Sequence, residues 1–177
     1  YENFVGQVTE DLAVPKFSKE TWICHDFFNL PWPFEDNYFD FSVCMHTLED
    51  IRDPIAISKE IQRVSKAGFI STPSRANESN PTLINKNKLE IDLIGYFHHR
   101  WFVEIIDGTL TFKQKCALLY KHQELIITNV GQRNLNYFWH DSFNVEEIYL
   151  SSSVEAYNDC KEFKFFAKTG NENCTAS

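Results

Sequence analysis

Between Thr21 and Pro73 short apolar runs alternate with polar breaks in a way that predicts specific elements. The run TWICHDFF, residues 21–28, is rich in β-branched and aromatic residues and predicts a buried strand. NLPWPFED follows, with two prolines and an acidic end, and predicts a loop. YFDFSVCMH, residues 38–46, predicts a second strand. A helix is then announced by Asp53 as N-cap and Pro54 at the first helical position, where a missing N–H costs nothing. Ile57, Ile61 and Val64 fall on one face of that helix, and Lys59, Glu60 and Arg63 point elsewhere. Lys66 suits the negative end of the helix dipole, and Gly68 predicts a left-handed stop. FISTP, ending at Pro73, predicts a third strand. The order strand, loop, strand, helix, strand implies parallel strands joined by a right-handed crossover.

Past Pro73 the pattern loosens. Residues Ser74 to Asp92 are polar and predict a long mobile loop or lid. WFVEIIDGTLTFKQK, residues 101–115, predicts a hairpin, because Asp107-Gly108 is a strong tight-turn pair between two apolar runs. ELIITNV, residues 124–130, predicts another strand, and EFKFFAK, residues 162–168, a last one. The aromatic stretch between Asn134 and Leu150 has no clear period. No internal repeat is present.

Composition narrows the partners. A chain of 177 residues with 43% hydrophobic positions is long enough to bury a real core. Its net charge of −8, without a run of basic residues, argues against nucleic acid. No apolar run approaches membrane-spanning length. Five widely spread cysteines without a CxxC pair predict a reducing compartment, and hence a cytoplasmic location, rather than a disulfide framework. The oligomeric state is left open by the sequence.

The segment from Trp22 to Pro73 resembles the middle of class I S-adenosylmethionine-dependent methyltransferases. Six pieces stand in family order: Asp26; Leu30-Pro31 with Phe34; Phe39-Asp40; His46-Thr47-Leu48-Glu49; the helix; and Arg63-Val64-Ser65-Lys66-Ala67-Gly68. The resemblance implies an α/β fold, a partly parallel Rossmann-like sheet with the hairpin after Trp101 added to it. Residues 1–73 would then be the cofactor-side core, 74–100 the loop or lid, and 101–177 the substrate side of a single domain. The family's glycine-rich loop belongs upstream of Asp26, yet residues 1–20 contain one glycine and no G-x-G. The expectation is a fragment without its first strand–helix–strand unit, inactive by itself. The alternative is a non-catalytic methyltransferase-like binding or scaffold module.

By the same resemblance, Asp26 accepts a hydrogen bond from the adenine amino group of S-adenosylmethionine and Phe27 lies beside the ring. Cys44, Met45 and His46 line the methionine arm. The less favoured reading of Asp26 is an ordinary residue that caps a local turn. The cluster FHHRWF offers His98 and His99, with His46, as candidate general bases, and Arg100 with Glu49 as contacts for a small-molecule or saccharide-like acceptor. Adjacent histidines on a strand point to opposite faces, so only one of the pair is expected at a shared site. Asp50 and Asp53 read as structural. His46, Glu49, Asp50, His98 and His99 are ligand-type residues of which a few could converge, yet no metal site is expected, because no H-x-x-x-H or H-E-x-x-H spacing occurs; a metal enzyme built on His46, His98 and His99 is the third and weakest reading.

Overall fold

The computed structural model describes residues 21–81, 94–115, 117–128 and 130–169. It divides into two compact units, residues 1–32 and 33–177.

In the first unit, residues 21–28 form no strand. The local chemistry explains the difference. The Asp26 carboxylate accepts from Phe28 N at 3.0 Å and the Asp26 carbonyl accepts from Asn29 N at 2.9 Å, so a side chain and a turn take up hydrogen bonds that a ladder would need. Trp32 donates through its indole N–H to Phe27 O and packs on the Phe27 ring.

The second unit is mixed α/β and holds two three-stranded sheets. In the first, β1 (Ser42–Met45) pairs in parallel with β2 (Ala67–Pro73), as the crossover reading requires. The predicted strand over 38–46 shrinks to these four residues, with Phe39 making one isolated bridge to Ser65. β2 is central and nearly all buried, because β5 (Asn134–His140) pairs antiparallel on its other side. Helix α1 (Pro54–Val64) joins β1 to β2; Asp53 accepts from Ala56 N at 2.9 Å, and Ile57, Ile61 and Val64 are buried. Gly68 corrects the sequence reading. It lies inside β2, and the positive-φ glycines among the described residues are Gly95 and Gly108. A Cβ on Gly68 would stand 2.6 Å from Ser42 Oγ and 2.7 Å from Trp139 Nε1, so this glycine serves close packing rather than helix termination.

The second sheet contains the predicted hairpin, β3 (Trp101–Ile106) and β4 (Thr109–Gln114). Asp107 and Gly108 both have positive φ, as a tight two-residue turn demands. β6 (Val145–Ile148) adds in parallel to β4. Residues 124–130 are not a strand: a short 3-10 turn at Gln123–Leu125 leads into irregular chain. Ile127 is buried there by docking on Ser79 and Asn80, donating to Ser79 O and accepting from Asn80 Nδ2.

Residues 162–168 belong to helix α3 (Ser153–Thr169) instead of a strand. Ser152 Oγ accepts from Glu155 N, while Glu155 Oε2 accepts from Ser151 N and Oγ, a reciprocal cap that commits the chain to a helix. Cys160 from α3 joins Ile94, Phe102, Leu119, Leu125 and Ile126 in one apolar cluster.

The stretch read as a lid begins with a buried helical turn, α2 (Arg75–Glu78); residues 82–93 lie outside the described residues. Arg75 is enclosed by acids from two other elements, Glu104 of β3 at 2.7 Å and Asp159 of α3. Lys113 of β4 completes the set at 2.6 Å from Asp159. The guanidinium also lies over the rings of Phe102 and Phe163. Burial by itself would raise the Asp159 carboxyl, but Arg75 and Lys113 outweigh it and hold the group below its ordinary value.

Candidate functional site

Two segments of the second unit meet at the tip of β1. The first is the turn His46–Ile51 that follows the strand, and the second is the chain Gly95–Trp101 that enters β3. They are laced together on both sides of Asp50. The Glu49 carbonyl accepts from Arg100 N at 2.7 Å and Trp101 N at 3.2 Å, and the Ile51 carbonyl accepts from Trp101 Nε1 at 2.7 Å. Asp50 N closes its own turn onto Thr47 O at 3.1 Å.

His46 stands at the turn itself. Its φ of 48° is left-handed, an uncommon state for a residue with a Cβ, and its N–H donates to Ser71 O in the neighbouring strand β2. The ring is half exposed, with Nδ1 3.5 Å from Glu49 Oε1. Glu49, expected to face an acceptor, is fully buried, and neither carboxylate oxygen has a hydrogen-bond partner among the described residues. Burial pushes this carboxyl above its ordinary value. Cys44 is half-buried and its thiol is pushed up to about 11, chiefly by burial, so it is neutral and no nucleophile at physiological pH. Met45 exposes its thioether on the open face of β1 together with Val43.

His98 and His99 depart from the alternation rule, because they occupy a turn and not a strand; His99 N donates to Tyr96 O at 3.2 Å. Their rings meet edge to face at 4.5 Å, and both turn toward one carboxylate. His99 Nε2 lies 3.4 Å and His98 Nε2 3.8 Å from Asp50 Oδ1. His99 Nδ1 is 2.6 Å from Glu78 Oε1, and Lys115 Nζ is 2.7 Å from Glu78 Oε2. Burial alone would raise the Glu78 carboxyl; His99 and Lys115 reverse this and lower it. Sequence reading missed Glu78 and Lys115; it took Asp50 for a structural residue while also counting it among the ligand-type residues. The pairing Gly95-Tyr96 was the available signal: Gly95 has φ +59° and passes directly over the Glu78 carboxylate. Arg100, named for the acceptor, is exposed and contributes its backbone N–H to the lacing. Asp26 and Phe27 belong to the other unit, where the exposed Asp26 carboxylate makes the local turn described above.

Residues 2–70 match the family described as a methyltransferase domain. This part of the chain is methyltransferase-like. The match supports the resemblance to class I S-adenosylmethionine-dependent enzymes and includes Asp26, Phe27 and the whole Cys44–Glu49 tip. Neither the curated proteins nor the solved structures gave a match. The methyltransferase-like segment thus supplies β1, α1 and the start of β2, while the two histidines come from outside it.

Proposed function

We propose that this protein transfers a methyl group from S-adenosylmethionine to a small-molecule or saccharide-like acceptor, in a reducing intracellular compartment. The family match over residues 2–70 carries the reading. On it, β1, α1 and β2 are part of a Rossmann-like sheet whose strand tips border the cofactor. The residues at the β1 tip fit such a group: from Cys44 to Glu49 there is no Lys or Arg, the thiol is neutral, and Met45 offers an exposed thioether. A sulfonium cation needs a wall without fixed positive charge. Bound there, S-adenosylmethionine supplies an electrophilic methyl group.

This chain's own residues would bind and orient. Asp26 would accept from the adenine amino group, Phe27 would lie beside the ring, and Cys44, Met45 and His46 would line the methionine arm. Of the three histidines, His98 and His99 face Asp50 and Glu78, which leaves half-exposed His46 as the group to take a proton from the acceptor. Arg100, exposed beside them, meets an anionic or hydroxyl group of the acceptor. Five widely spread cysteines without a CxxC pair support the reducing compartment. Isothermal titration of the protein with S-adenosylhomocysteine tests the reading. Saturable heat at micromolar concentrations is expected; a folded sample that gives none overturns it.

A further inference from the structure

From the convergence of Asp50, His98 and His99 we infer a binding site for one first-row transition-metal dication of the Zn2+ type, independent of the methyl-transfer reading. One donor atom from each of the three lies within 4.8 Å of the others. Two donors held about 2.0–2.2 Å from a tetrahedral Zn2+ stand roughly 3.3–3.6 Å apart. The 3.4 Å between His99 Nε2 and Asp50 Oδ1 already has that spacing. The 3.8 Å to His98 reaches it with a small rotation of a half-exposed ring.

The supporting groups point the same way. The Glu78 carboxylate accepts from Lys115 Nζ and Tyr96 N, so toward His99 it is also the acceptor and Nδ1 is the donor. In the neutral ring the Nε2 lone pair is then directed at Asp50, the carboxylate–histidine–metal arrangement that fixes tautomer and orientation in metal sites. Without a cation, that lone pair would face a carboxylate oxygen. Asp50 Oδ1 is itself buried and has no hydrogen-bond partner among the described residues, although two imidazoles stand beside it. The ring of Tyr96 stacks on His99 at 4.6 Å, and the backbone lacing of Glu49 and Ile51 to Arg100 and Trp101 holds the acid against the histidines before any ion arrives. Two imidazoles and one carboxylate select such ions over Mg2+, which prefers oxygen alone. With three protein donors and the solvent side formed by half-exposed His98, a further position is left for water or an oxygen of a ligand.

The test is Zn2+ titration of the chelator-stripped full chain by calorimetry, with Co2+ absorption as the reporter of nitrogen ligation. One equivalent of Zn2+ should bind, Co2+ should give the intense visible bands of a low-coordinate site, and Mg2+ should give no heat. His98→Ala, at a half-exposed position that tolerates truncation, should weaken Zn2+ binding by more than the ~10–100-fold that loss of an outer-shell partner costs. Asp50→Asn should do the same, and circular dichroism checks that both variants fold. Zn2+ affinity unchanged in folded His98→Ala, equal uptake of Mg2+, or no Zn2+ uptake at all would each overturn the site.

Discussion

At Gly95 the backbone takes φ +59°, and a Cβ there would meet the Glu78 carbonyl and carboxylate oxygens at 2.5 Å and Lys115 Nζ at 2.6 Å. Gly108 has the similar φ of +76° but nothing within 4 Å of its missing Cβ. The pair separates conformational strain from collision. Gly108→Ala should cost only the left-handed penalty, about 1–2 kcal/mol. Gly95→Ala carries the same penalty and also pushes apart a buried ion pair whose members have nowhere to move, so its loss should exceed that of Gly108→Ala by about 2 kcal/mol or more. Urea unfolding of the two variants measures the difference. Equal midpoints would mean that the Glu78–Lys115 pair yields without cost.

Among the elements, legibility followed local signals. Helix α1 was readable because Asp53-Pro54 is a start and Ile57, Ile61 and Val64 keep one face. The β3–β4 hairpin was readable from Asp107-Gly108. Helix α3 was misread because the apolar residues of EFKFFAK imitate a strand, while the deciding information sat earlier, in the Ser152–Glu155 cap. β5 went unassigned for another reason. Leu135, Tyr137 and Trp139 turn inward at period two, but outward Phe138, which packs across the ladder on Phe69, hides the alternation. The Arg75 cluster could not be read at all, since its partners lie far apart in sequence. Its energetics are testable through acid. The folded carboxyl of Asp159 is held below its ordinary 3.8. The stability it contributes is therefore complete above that unfolded value and is lost as pH falls through the lower folded one. Asp159→Asn should destabilise at neutral pH by about 3 kcal/mol, because Arg75 loses a partner in a buried setting. It should also flatten the fall in urea midpoint between neutral pH and about pH 3; parallel curves for both proteins would show that Asp159 titrates alike in the folded and unfolded chain.

For the molecule as a whole, the methyl-transfer reading gives the nucleoside end of the ligand to Asp26 and the methionine end to the β1 tip. Asp26→Ala distinguishes that duty from a local role. Asp26 is exposed, and its side chain accepts from Phe28 N two residues away, a local bond of a surface turn. The thermal midpoint of the folded chain should hold within measurement error. A carboxylate that accepts from the adenine amino group contributes about 1.5–3 kcal/mol, so affinity for S-adenosylhomocysteine should fall by roughly 10–100-fold. His46→Ala should lower turnover more than affinity, since it removes a proton acceptor and leaves the Cys44–Met45 wall in place. If Asp26→Ala leaves affinity intact while His46→Ala alters it, the nucleoside end rests on residues other than Asp26, and the turn onto Phe28 is then the whole role of that carboxylate.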